Sequence, residues 1–150
     1  MKAENIESCF LPLKNKTMEI TKSHIKYIEW RSIEELHEDI LNCISELRFT
    51  KDEQQFLEDL VLNHTMGLLA GKSYDLSRNV ITRLTKSRNR LGPLLIKMMS
   101  HNNHLQSLLD EINNVQEMED FKKLHHQLMN EFIEYNVQFK QVKKQIFKLI

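Results

Sequence analysis

The chain has 150 residues, 41% of them hydrophobic and 28% charged, with 21 basic and 21 acidic side chains in balance. That length supports one domain with a real core, and zero net charge argues against an obligatory nucleic-acid binder. Only 3 Gly and 2 Pro leave few turns, so long helices are expected, and no run approaches the roughly 18 apolar residues of a membrane span.

Residues 1–31 show no sustained helical period and are read as an N-terminal arm preceding a helical-bundle domain at 32–150. The opening "MKAENIESCFLPLKNK" has early acids and no apolar stretch ending in a small-residue cleavage site. No signal peptide is expected, and a cytoplasmic location follows as an expectation. Cys9 and Cys43 lack metal or redox spacing and read as buried thiols in a reducing compartment.

A first helix is expected from Ser32, where "SIEE" has the form of a capping box. Ile33, Leu36, Ile40, Cys43, Ile44 and Leu47 make its apolar stripe. "TKDE" repeats the capping pattern with Thr50 and Glu53, so a turn near residue 49 and a second helix to about residue 72 are expected. The second stripe is Phe56, Leu57, Leu60, Val61, His64 and Leu68, with Gly71 placed to cap its end.

"SYDL" opens a third helix reaching about residue 113, and a fourth runs from about Glu117 to the C-terminus. In the fourth, Phe121, Leu128, Tyr135, Val142 and Leu149 interleave with Met118, His125, Phe132, Phe139 and Ile146. Two seven-residue rows of this kind form the seam of a coiled-coil-like pairing. Gly92-Pro93 inside the third helix predicts a kink or break. The fold class is therefore all-α: an antiparallel four-helix bundle with two long C-terminal helices and an N-terminal arm.

Histidines are the main chemical candidates. Glu34-x-x-His37 has the spacing used in carboxylate-bridged di-iron bundles, but the required second copy of that motif is absent. "NHTMGLLAG" around His64 is only a faint match to a phosphorylatable histidine, because the lysine and glycine that should follow are missing. His101, His104 and His125 remain as a local trio that could hold Zn²⁺ or Ni²⁺ or sense pH. The simpler reading makes His101 and His125 polar seam residues that set register, hydrogen-bonded to each other or to Asn102. No cofactor is expected.

Charge is segregated. From Glu29 to Asp59 there are ten acids and three bases, a net −7. From Leu76 to Leu109 there is no acid, while Arg78, Arg83, Lys86, Arg88, Arg90 and Lys97 give +6. The simplest explanation is internal, an acidic hairpin packed on a basic helix; the sharper one is a basic face for nucleic acid or an acidic partner.

If the first two helices turn near residue 49, the distal part of the second hairpin projects beyond them. Met98, Leu105, Leu108, Leu109, Ile112, Phe121 and Leu128 would then form an association surface, covered by a second chain, by the arm or by a fold-back at Gly92-Pro93. The leading expectation is a non-enzymatic interaction or scaffold module that self-associates as a homodimer, with no membrane partner. The alternative is a metal- or pH-responsive bundle using the histidine trio, and the third is a nucleic-acid module using the basic face.

Overall fold

The computed structural model describes residues 31–67, 73–110 and 115–150. All of the expected arm except Arg31, together with Leu68, Gly71 and Ile112, lies outside the described residues. Three long helices lie among the described residues: α1 (Ile33–Gly67), α2 (Ser73–Asp110) and α3 (Val115–Leu149). No strand occurs among the described residues. The all-α class holds, with three helices in place of the expected four.

The start of α1 is the capping box read from "SIEE". The Ser32 N–H donates to Glu35 Oε2 at 2.8 Å, and the Glu35 N–H donates to Ser32 Oγ at 3.2 Å. Two amides that lack carbonyl partners in the first turn are thereby satisfied. The second box, at Thr50, does not form. The helix runs straight through it, because no Gly or Pro interrupts the chain there and the core spacing never breaks.

Leu36, Ile40, Cys43, Leu47, Thr50, Gln54, Leu57 and Val61 are all buried, at alternating steps of four and three. That is the period of a helix facing two partners along a single seam. Thr50 and Gln54 occupy core positions despite being polar, and this is why the sequence reads as two helices. Phe56, expected in the core, falls between the seam positions and is exposed.

The neighbouring helices continue the same alternation. In α2, Ser77, Val80, Leu84, Ser87, Leu91, Leu94, Met98, His101, Leu105 and Leu108 are buried. In α3 the two expected rows supply Phe121, His125, Leu128, Phe132, Tyr135, Phe139, Val142 and Ile146. Gly92-Pro93 does not break α2, which stays helical from end to end. Pro93 lies on the solvent side, where a lost backbone bond costs less than it would in the seam.

Cross-helix pairs define the topology. His37 meets Gln106 and Gln54 meets Ser87, so α1 and α2 are antiparallel. Lys97 meets Glu131 and His101 meets His125, so α2 and α3 are antiparallel. Cys43 Sγ lies 3.7 Å from Met129 Sδ, and Lys143 Nζ donates to Glu53 Oε1 at 3.0 Å, so α1 and α3 run parallel.

An unbroken α1 removes the expected overhang. Its first half lies along the far end of α2, where His37 Nε2 is 3.4 Å from the Gln106 amide nitrogen. Met98, Leu105, Leu108, Phe121 and Leu128, expected at an association surface, are buried in the chain's own core instead. Of the described members of that set only Leu109 is exposed.

Candidate functional site

Two polar layers cross the core, each drawing side chains from all three helices. In the first, Gln54 Nε2 donates to Tyr135 Oη at 2.6 Å and to Ser87 Oγ at 3.0 Å. Tyr135 Oη donates to the Ser87 carbonyl at 3.1 Å. Burial raises the phenol's pKa against the opposing pull of these hydrogen bonds, so it stays a neutral donor. Gln54 Oε1 has no hydrogen-bond partner among the described residues. A layer of this kind penalises any slip in register, because a shifted helix leaves several buried polar groups unpaired.

The second layer contains the candidate histidines. His101 Nε2 and His125 Nδ1 are 3.0 Å apart, and His125 Nε2 lies 3.4 Å from Asp39 Oδ2. Asp39 accepts from both terminal guanidinium nitrogens of Arg31, with Nη2 donating to Oδ1 at 2.9 Å. The carboxylate fixes the tautomers. His125 donates from Nε2 to Asp39, so its Nδ1 accepts from His101 Nε2–H. His101 Nδ1 then carries no proton and is buried without a partner among the described residues.

Burial, then electrostatic repulsion from His125 and His104, depresses the His101 pKa to about 3. Burial opposes the charge of Asp39, yet hydrogen bonds from His125 and Arg31 and the Arg31 charge outweigh it and lower its pKa. This is a chain running from half-buried Arg31 and Asp39 to buried His125 and His101. Phe121 stacks on His101 with ring centroids 4.1 Å apart and planes within 4°.

His104 does not join this layer. Its ring is exposed and meets Phe121 edge-on, at 5.5 Å between centroids, while His101 occupies the face of the same ring. The trio therefore does not converge on a point, and no group of three or more His, Cys, Asp or Glu is placed to hold a metal among the described residues. His37 sits near Gln106 and His64 is half-buried on α1, both remote from the pair.

Asp39 and Arg31 are the members that sequence reasoning missed, since Glu38-Asp39 reads as a solvated helix face. The available signal is position. Asp39 immediately precedes the seam residue Ile40, but its level against His125 follows only from a three-helix register.

The basic face also divides differently from the expectation. Arg88 pairs with Glu58 of α1 at 2.8 Å, and Lys97 pairs with Glu131 of α3 at 3.0 Å. Arg90 donates to the neutral Gln138 amide of α3. Arg88 is thus the one member of the set with an ion pair to α1 among the described residues. The acidic helix does not neutralise the basic one.

The outside of the bundle has one aromatic face. Glu46 and Glu53 of α1 meet Asn136, Lys140 and Lys143 of α3. Phe49 and Phe56 continue the same α1 row at steps of three and four, and Phe147 continues the α3 row. These three phenylalanines are 69%, 63% and 64% exposed, whereas Phe121, Phe132 and Phe139 are buried. No described helix is long and apolar enough to cross a membrane. Comparison with protein-family models, with curated proteins and with solved structures finds no match to this chain.

Proposed function

We propose that this chain is a non-enzymatic, cytoplasmic interaction module that self-associates through the face shared by α1 and α3. The observation that carries this reading is the grouping of Phe49, Phe56 and Phe147, the three exposed phenylalanines among the described residues, on that one face. Leaving large aromatic surface in water is unfavourable by roughly 25 cal/mol per Å², and contiguous exposed apolar surface usually belongs to an interface.

The charges around the patch favour a second copy of the same chain. The α1 edge carries Asp52 and Asp59; the α3 edge carries Lys140, Lys144 and Lys148. Because α1 and α3 are parallel, a two-fold axis along the bundle sets α1 of one copy on α3 of the other at the same level. Acids then face lysines twice, and the rings pack between them. Rim charges of this kind set orientation more than affinity.

Light scattering at micromolar concentration tests the reading. The wild type is expected at twice the chain mass, and Phe49→Ser with Phe56→Ser at the single mass with unchanged helicity. Asp52→Lys is expected to weaken the dimer, and adding Lys144→Asp to restore it. A monomeric wild type overturns self-association.

The buried His101–His125 pair, bonded to Asp39, supports a second reading, in which acid loosens the bundle; its test is the pH dependence of stability.

A further inference from the structure

We propose that the groove between α2 and α3 beside Arg83, Lys86 and Arg90 binds a small ligand carrying clustered phosphates. The groove encloses about 360 Å³ and is lined by those three cations, Gln138 and Gln141, over a floor that includes Ser87 and Tyr135. That volume lies within the range of roughly 300–1,000 Å³ common to small-molecule sites. No acid is in the lining.

The basic stretch of α2 has no internal explanation in this fold. Of its six cations, Arg88 and Lys97 have acid partners. Arg83 and Lys86 make no ion pair among the described residues, and Arg90 donates to the neutral Gln138 amide, which in turn donates to Glu134. Three positive charges therefore converge on one groove, within two helical turns, about 10 Å along α2.

The chemistry of the lining selects the ligand. Two guanidinium forks match the tetrahedral oxygens of phosphate, the lysine adds a point charge, and the amides supply neutral donors. Tyr135, the aromatic residue in the lining, is buried and tied to Gln54 and Ser87, so it offers no face on which a base could stack. That favours phosphate clusters over single-stranded nucleic acid. The groove lies away from the α1–α3 face, so the proposal is independent of self-association.

Isothermal titration with tripolyphosphate in moderate salt tests it. Arg83→Gln and Arg90→Gln are each expected to weaken binding about tenfold or more, the value of one charged hydrogen bond. Arg83→Lys should also weaken it, since charge is kept and the fork is lost. Lys123→Gln, an equal charge change on exposed α3 surface, should leave binding unchanged. Circular dichroism checks that each variant is folded. Equal losses in Lys123→Gln and Arg83→Gln, or no loss in either arginine variant, overturn the proposal. Tighter binding of a single-stranded oligonucleotide or of a polyglutamate peptide overturns the choice of ligand. If tripolyphosphate binds as expected, phosphatidylcholine vesicles doped with a phosphoinositide then separate a lipid headgroup from a dissolved phosphate cluster. Sedimentation of the chain with the vesicles assigns the lipid source, and its absence the dissolved one.

Discussion

Acidification should destabilise this bundle through His101. The ring is 2% exposed, stacked on Phe121 and bonded to His125, with its Nδ1 unpartnered. The groups that bear on it are His104 from its own helix, His125 and the neighbouring His126 from α3, and Asp39 with Arg31 from the α1 side. Burial first, then His125 and His104, hold its pKa at about 3, against 6.5 for an ordinary imidazole. A group whose folded pKa is depressed binds more protons when unfolded. Its contribution is therefore fully present above about pH 6.5 and is lost as pH falls towards 3. Moving from about pH 7.5 to about pH 5 traverses some 1.5 pH units of that window, which costs about 2 kcal/mol. His126, lowered by burial and then by His125, acts in the same direction. Asp39 is lowered from 3.8, so its contribution is lost only at more acidic pH. Urea unfolding at the two pH values measures the difference, and His101→Gln keeps a donor for His125 while removing the titration. A flat wild-type profile, or a slope unchanged in His101→Gln, would refute the reasoning.

The other predictions concern the fold. Lys51→Pro distinguishes one helix from two: proline is favoured at the first position of a new helix, but inside continuous α1 it should cost about 3 kcal/mol or more by thermal or urea unfolding. Phe132→Ala and Phe139→Ala should each cost about 3–5 kcal/mol in the same assay, since both rings are buried; a loss below about 1 kcal/mol at both would contradict their core placement. Gly92→Ala should leave stability within about 0.5 kcal/mol: alanine is the better helix former and its methyl group meets nothing within 4 Å beyond the chain neighbours, but the following Pro93 ring crowds a β-carbon on helical backbone. A gain of about 1 kcal/mol or more by thermal unfolding would contradict that crowding.

The sequence by itself determined the helical class, the start of α1, the extent of α2 and the whole seam of α3. Each rests on interactions among residues close in the chain. Ser32 and Glu35 satisfy each other across one turn, and the rows through Phe121 and His125 repeat every seven residues whatever packs on them. What only the tertiary structure decided is the continuity of α1. Thr50 and Gln54 look like a break when polarity is read as exposure, yet both are core residues, and the Gln54 amide is bonded to Ser87 and Tyr135, which lie far away in the chain. A capping pattern states only that a helix could begin; whether it does depends on whether the backbone amides there still lack partners. That one difference moved Met98, Leu105, Leu108, Phe121 and Leu128 from a surface to a core. It also brought Asp39 level with His125 and turned Phe49 and Phe56 outward. Such relations depend on the level at which separate helices meet, and no local spacing encodes that level.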